Sequence, residues 1–371
     1  METIRVAIVG RPERPTGPSK VMAALRDALS KHDGLELTTI ATRFALRGSG
    51  RILSTGAFSR SIALPVLNPR AWLQVLSTLK QAKVAIINVC DFPWYAPAWI
   101  VFARILRVRV VYTAHGAIRD EIAFGTRVLP GSRIMERILL LCADDYIAVS
   151  SLLAGRLRAW YPRLGEPVAI IQNGVDAGFL GKADPNPFLH RFRPQRDVVL
   201  FAGLLAKIKG IDVLLEAFQG IEGTLVLAGW ETPFFEPLKE AHAEMIGEGR
   251  LLLTGPLDQA MLRSAYAAAK VFVMPSRQDS SPKAVIEAMA GGCPVVITDR
   301  VGTKEIITDG VEGFVIPSGS PEALRGRLEL LLEDEKGQER MGEAARLLAA
   351  KYQWALVAES YVDAYARSIA R

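Results

Sequence analysis

Val271-Phe-Val-Met274, Pro275-Ser-Arg-Gln-Asp-Ser-Ser281, Pro282-Lys-Ala-Val-Ile-Glu-Ala-Met-Ala290 and, after Gly291-Gly-Cys293, Pro294-Val-Val-Ile-Thr298 read in turn as strand, loop, helix and strand. Proline suits the first helical position, where its missing N–H would be unpaired anyway, and Ser281 before it reads as the cap. Ala284, Val285, Ala288 and Met289 recur at helical spacing and give the helix a face for a sheet, and Gly291-Gly292 ends it. Two carboxylates interrupt this apolar setting, Asp279 in the loop and Glu287 inside the helix. A helix start beside the C-terminal end of a strand is where open α/β sheets hold phosphates, because free N–H groups and the helix dipole favour anions. At about 1.5 Å of rise per residue, Pro282 to Glu287 covers roughly 7–8 Å. Asp279 and Glu287 are therefore spaced to touch two parts of one extended ligand with phosphates between them. That is the shape of a sugar nucleotide.

This run resembles the signature of the retaining GT-B glycosyltransferases, glycosyltransferase family 4, in which an acidic residue, seven residues and a glutamate precede an Ala-Met-Ala-x-Gly-x-Pro-Val-Val segment. Asp279 stands where the family usually has Glu, so the charge is kept on a side chain one methylene shorter. The resemblance implies an α/β protein of two Rossmann-like domains facing across a cleft, with a last helix crossing back onto the N-terminal domain. It places an acceptor domain at residues 1–172, a linker at 173–196, a nucleotide-sugar domain at 197–354 and the returning helix at 355–371.

Composition agrees with such a chain. Its 371 residues exceed one ordinary domain and suit two, and half are hydrophobic against 23% charged, which supports large cores. Cys90, Cys142 and Cys293 are few, odd in number and set in apolar segments. They read as reduced core thiols of a cytosolic protein, not as a disulfide or zinc framework. The opening Met-Glu-Thr-Ile-Arg-Val-Ala-Ile-Val-Gly reads as a strand and not a secretion signal, and no apolar run reaches the length of a membrane span. The net charge of +6 divides into +10 over residues 1–185 and −4 over residues 186–371. Either the two halves meet different partners or scattered surface charge averages this way.

In the N-terminal half, strand Ile4–Val9, the loop Gly10–Pro18 and a helix near Ser19–Ser30 form the first βα unit of a doubly wound sheet. The loop lacks G-x-G-x-x-G, which disfavours a nicotinamide dehydrogenase. Gly17, Arg11 and Arg14 read either as acceptor or phosphate contacts or as a plain turn with solvated arginines. Residues 41–70 show weak periodicity and read as a loop insertion or short irregular strands. The aromatic run from Asp91 to Phe102 leads into Arg104, Arg107 and Arg109, which reads either as peripheral contact with an anionic membrane or as an ordinary buried helix. His115 follows strand Arg109–Thr113 and precedes Gly116, a cleft-edge position that a buried backbone-bonded histidine could equally fill. The family carries a strand-end Thr-x-His element here, near the donor sugar.

Asn173-Gly174-Val175-Asp176 is a turn, and the Gly- and Pro-rich stretch that follows to Pro194 reads as the interdomain linker. Strand Val198–Ala202 runs into Gly203-Leu-Leu-Ala-Lys207-Ile-Lys209-Gly210, lysines beside glycines at a strand end, which suits a phosphate. The family segment is Gly-Arg-Leu-x-x-x-Lys-Gly, its Arg and Lys holding the donor diphosphate. Lys209 matches that lysine, but Leu204 replaces the arginine, leaving Lys207 or Lys283 to compensate. Gly229 ends strand Thr224–Ala228 at another cleft edge.

By the resemblance, His115, Asp279 and Glu287 are the catalytic candidates. Gly203, Lys207, Lys209, Gly229, Ser280, Ser281 and Lys283 join Glu287 in donor binding, and Gly17 and Arg11 lie toward the acceptor. The activity implied is a retaining, metal-independent hexosyl transfer from a nucleoside-diphosphate sugar to a glycan or lipid-linked acceptor, as in surface polysaccharide synthesis. No cofactor, metal or nucleic-acid partner is implied, and the setting is the cytoplasm, at the inner face of the cell membrane where the acceptor is lipid-linked. Two alternatives stay open: a non-catalytic relative that binds sugar nucleotide or glycan, and a nucleotide-sugar epimerase.

Overall fold

The computed structural model describes residues 3–10, 17–42, 52–54, 60–64, 69–90, 96–125, 128, 130–181 and 183–371. The chain divides into two units, Met1–Gly174 with Trp354–Arg371, and Val175–Gln353. Both are α/β.

In the first unit the sheet order is Ile52–Ser54, Arg60–Leu64, Leu35–Thr42, Ile4–Gly10, Ile86–Val89, Arg109–Ala114, Asp145–Ala148, Ala169–Ile170. All neighbours are parallel except the edge pair Ile52–Ser54 and Arg60–Leu64. Central strands such as Val6–Val9 and Ile86–Val89 are buried on both faces, as parallel strands sandwiched by helices must be, and apolar apart from the hydrogen-bonded Asn88. The edge strands fall inside the stretch of weak periodicity, because an edge pair needs no continuous apolar run.

The last helix, Trp354–Ala370, packs on helix Gly17–Leu29 of this unit. Tyr365, buried, accepts a hydrogen bond from Asn88 Nδ2 at 2.6 Å, and Ser368 Oγ donates to Asp145 Oδ2 at 2.6 Å. Arg109 and Arg371 pair with the same Asp145 carboxylate at 3.1 and 2.8 Å. Arg104 lies 3.5 Å from Asp144, and Trp99 and Ala103 of helix Ala96–Leu106 point inward. The arginines following the aromatic run are thus partly neutralised by internal acids; Asp91–Tyr95 fall outside the described residues.

In the second unit the order is Leu251–Leu253, Thr224–Ala228, Val198–Ala202, Ala269–Met274, Val295–Thr298, Gly313–Ile316, all parallel. Numbered along the chain this is the 3-2-1-4-5-6 of a doubly wound sheet, whose order reverses between Val198–Ala202 and Ala269–Met274. Residues 175–196, read from sequence as linker, carry helix Asn186–Phe192 and bury Val175, Phe179 and Phe188 in this unit's core. Scattered Gly and Pro hid those apolar anchors. Cys90 and Cys293 are buried as expected, but Cys142 is exposed, on the outer side of the last turn of helix Ser132–Cys142.

Candidate active site

Two loops leave the strands that flank the reversal, residues 203–210 and 275–282, and the backbone locks them together. Arg277 N–H donates to Ile208 O at 2.8 Å. Gly210, at φ 68°, sits so close that a Cβ there would lie 2.1 Å from Pro275 O, so only glycine fits. On the other side, Asp279 N–H donates to Arg300 O at 3.0 Å and Gly302 N–H to Asp279 O at 2.9 Å. Gly203 and Gly229, both expected at the donor site, lie side by side: a Cβ on Gly229 would sit 1.7 Å from Gly203 O, and one on Gly203 would meet the Phe201 ring at 3.1 Å.

Charged side chains then gather at these strand ends. Lys209 Nζ pairs with the Asp279 carboxylate, both side chains mostly covered. Arg277 makes a two-pronged pair with Asp212 at 2.6 and 2.7 Å and also donates to Lys207 O at 2.9 Å. Burial works against ionising Asp212, but the hydrogen bonds and charge of Arg277 hold its carboxyl below the usual range. Lys207 is exposed.

Helix Lys283–Ala290 begins one residue later than the sequence reading. Pro282 itself is the cap residue, with extended φ and ψ, and no side chain caps the helix, so Ser281 is not its cap. Ser280 and Ser281 are nonetheless buried at this turn. Lys283 Nζ lies 3.4 Å from Glu287 Oε1 and 3.5 Å from Asp176 Oδ2. Tyr266 OH donates to Glu287 Oε2 at 3.4 Å, and burial, with the nearby Glu287 charge, raises the phenol well above its ordinary pKa. Glu287 is itself buried.

His115 belongs to the first unit, just beyond strand Arg109–Ala114. Both ring nitrogens are buried without a hydrogen-bond partner among the described residues, and burial lowers its pKa to about 4. The imidazole is neutral at pH 7, with one donor and one acceptor to offer. The next turn is held from below: Ile118 N–H, at the start of helix Ile118–Ala123, donates to buried Glu136 at 2.9 Å. Gly17 opens helix Gly17–Leu29, and Arg11 and Arg14 fall outside the described residues. Among the described residues no three His, Cys, Asp or Glu side chains are grouped to hold a metal ion.

The family model described as Glycosyltransferase Family 4 matches residues 15–179, and that described as Glycosyl transferases group 1 matches residues 184–348. A D-inositol 3-phosphate glycosyltransferase of Xylanimonas cellulosilytica is 31% identical over 281 residues, covering 71% of this chain and 67% of that protein. The chain belongs to glycosyltransferase family 4.

Other relatives are longer. The matched stretch covers 62% of the D-inositol 3-phosphate glycosyltransferase of Segniliparus rotundus, 28% identical, and 72% of this chain. It covers 57% of the sulfoquinovosyl transferase SQD2 of Arabidopsis thaliana, also 28% identical, and 78% of this chain. Among solved structures, the sucrose-phosphate synthase of Thermosynechococcus elongatus superposes with a TM-score of 0.81 at 18% identity, covering 99% of both chains. HepE of Anabaena, solved in complex with UDP, gives 0.75 at 18% identity, covering 97% of this chain and 99% of that one. The fold is GT-B.

In this family 4 chain, the donor-site candidates proposed from its sequence all lie in the second unit, and contacts among them join Gly203 with Gly229 and Lys283 with Glu287. Sequence reasoning missed Arg277, Asp212, Asp176 and Tyr266. Arg277 and Asp212 lie 65 residues apart and meet only because the strand order reverses there. Leu204, in place of the family's arginine, is 45% exposed.

Proposed function

We propose that the chain is a retaining glycosyltransferase that moves a sugar from a nucleoside-diphosphate sugar to a glycan or lipid-linked acceptor. One observation carries the reading: the loops and helix that leave the two strand ends flanking the reversal of strand order carry Lys207, the Lys209–Asp279 pair and the Lys283–Glu287 pair, in a family 4 chain. That HepE was solved with UDP and with UDP-glucose supports it. In this reading Lys209 binds the diphosphate and Asp279 the hydroxyls of the donor sugar. Glu287, anchored by Lys283 and Tyr266, takes the ribose. His115, whose ring nitrogens lack partners, hydrogen-bonds the sugar. The Lys209–Asp279 pair must open or be shared when the donor arrives.

No side chain at these strand ends stands out as a covalent nucleophile, which supports front-side displacement. The acceptor oxygen bonds to the anomeric carbon, the bond from that carbon to the phosphate oxygen breaks, and the acceptor proton passes to the departing phosphate. The charge a metal would neutralise falls to the lysines, so chelator should leave the rate unchanged.

The test is a thermal-shift screen against UDP-, GDP- and ADP-sugars, repeated with Lys209→Ala and Glu287→Ala. Stabilisation by one donor class, erased in both variants, is expected; stabilisation that survives both would sink the assignment. Inverted anomeric configuration in the product would rule out the front-side route. The exposed Leu204 favours one second reading, a relative that binds donor without turning it over. Donor binding without hydrolysis or transfer would point to it.

A further inference from the structure

We propose that Glu136 is a positioning residue for sugar transfer: from helix Ser132–Cys142 it fixes the turn that carries His115, and so sets the place of the imidazole. The inference rests on the role proposed above for His115. Glu136 is 1% exposed. Its Oε1 accepts from Ile118 N–H at 2.9 Å and its Oε2 from Tyr161 OH at 3.3 Å. No Lys or Arg forms an ion pair with it among the described residues. Burial raises its carboxyl pKa, and the two hydrogen bonds offset only part of that shift. A buried acid held by one amide and one phenol is costly to keep. A leucine would fill the same helical face without that cost, so stability alone does not account for the carboxylate.

The turn depends on this bond because little else holds it. Helix Ile118–Ala123 has Ala117 at its cap, so no local side chain pairs its first N–H. Glu136 supplies the partner from 18 positions along the chain. Gly116 lies between that anchor and His115, and a Cβ there would meet nothing within 4 Å, so packing leaves the turn room to move. Both imidazole nitrogens lack a partner among the described residues, so no side-chain bond orients the ring either. His115 is therefore placed by the backbone on its two sides. Upstream, Thr113 Oγ1 donates to Asn88 Oδ1 at 2.9 Å within the buried sheet. Downstream, the first fixed point is Ile118 N–H on Glu136, and beyond it Asp120 pairs with Arg156 of helix Ser151–Trp160. Burial alone lowers the His115 pKa, with no share from the charge of Glu136. The acid thus acts through the backbone and not through its field.

The experiment combines NMR of the full chain, its four histidines carbon-labelled at Cε1, with steady-state kinetics. The His115→Ala variant assigns the His115 resonance. Glu136→Leu, which leaves Ile118 N–H without a partner, should move that resonance while those of His32, His190 and His242 stay. Glu136→Gln keeps an acceptor for Ile118 and an N–H for the Tyr161 oxygen, and should leave it in place. Tyr161→Phe loosens the same carboxylate more gently and should move the same resonance even where the Leu variant does not fold. The rate is read from hydrolysis of UDP-, GDP- or ADP-glucose, whichever stabilises the chain. Glu136→Leu should lower kcat about 10- to 100-fold, as a misplaced group does, with the donor KM changed less than about threefold. Glu136→Gln should recover most of the rate, and Glu136→Leu with His115→Ala should be no slower than His115→Ala alone. An unmoved His115 resonance, a Gln variant that behaves like Leu, or effects that multiply in the double variant would overturn the inference. A wild-type rate in His115→Ala would instead remove the donor-sugar role of His115, and the resonance alone would then decide for or against Glu136.

Discussion

Replacing Arg277 by alanine tests whether the two strand-end loops act as one rigid body. Its guanidinium makes three hydrogen bonds, two to Asp212 and one to Lys207 O. Bonds to charged groups contribute about 1.5–3 kcal/mol each when well shielded. The side chains of Arg277 and Asp212 are 24% and 30% exposed, so solvent screening brings the set down to about 2 kcal/mol. For a unit of this size, about 2–4 °C of melting temperature per kcal/mol gives a fall of roughly 4–8 °C by calorimetry. The backbone bond from Arg277 N–H to Ile208 O survives in the variant, so the loss is local and the sheet remains. Because Lys207 and Lys209 ride on the loop that Arg277 holds, donor affinity should weaken about tenfold, a cost of about 1.4 kcal/mol.

The pH dependence supplies a second handle. Arg277 holds Asp212 below its ordinary 3.8, so the stabilisation is present above that value and is lost as pH falls through the lower, folded value. The gap between wild type and Arg277→Ala should therefore be constant from pH 6 to 8 and close below about pH 4. A melting temperature within 1 °C of wild type, together with unchanged donor affinity, would refute the clamp.

Three further variants probe other links. Gly229→Ala drives a Cβ into Gly203 O and should lower the urea midpoint by an amount equivalent to about 3 kcal/mol or more; a stable variant would mean the strand ends can separate. Tyr266→Phe removes the hydroxyl that bonds Glu287 and should raise the donor KM severalfold with kcat little changed, whereas a loss confined to kcat would take Glu287 out of ground-state binding. Burial lowers the His115 pKa from 6.5 to about 4, so unfolding takes up a proton in that interval and folding weakens as pH falls, by up to about 3 kcal/mol. Burial raises Asp120, despite Arg156, to about 6 and also raises Glu136; both acids work in the opposite direction over nearly the same range. His115→Asn should thus gain stability relative to wild type as pH drops from 6.5 to 4 in urea titrations, and a constant gap would show the histidine is not buried neutral.

Much of the second unit could be read from its sequence because the signals are local. Apolar strands that run into Gly203 and Gly229, and the Gly291-Gly292 helix stop, each act within a few residues, and each is found in place. Two kinds of feature escaped. One is the long-range pair, Arg277 with Asp212 or Ile118 N–H with Glu136, which requires the topology before the partners can be known. The other is competition for a group: Lys209 and Asp279 were assigned to different parts of a ligand, and nothing in a linear pattern says that they also reach each other.

That competition decides what replaces the arginine missing at position 204. Of the cations on the two loops and the helix start, Arg277 is committed to Asp212, Lys209 to Asp279, and Lys283 to Glu287 and Asp176. Lys207 is exposed and has no ion pair among the described residues. It is the group free to turn onto a diphosphate without breaking an existing bond. Lys207→Ala should therefore leave the melting temperature of the free protein unchanged while weakening donor binding about tenfold or more, as loss of a charged hydrogen bond predicts. Lys207→Arg should preserve binding. If Lys207→Ala binds donor like wild type, the substitution at Leu204 is uncompensated, and the weight shifts to a chain that holds its sugar nucleotide loosely and does not turn it over.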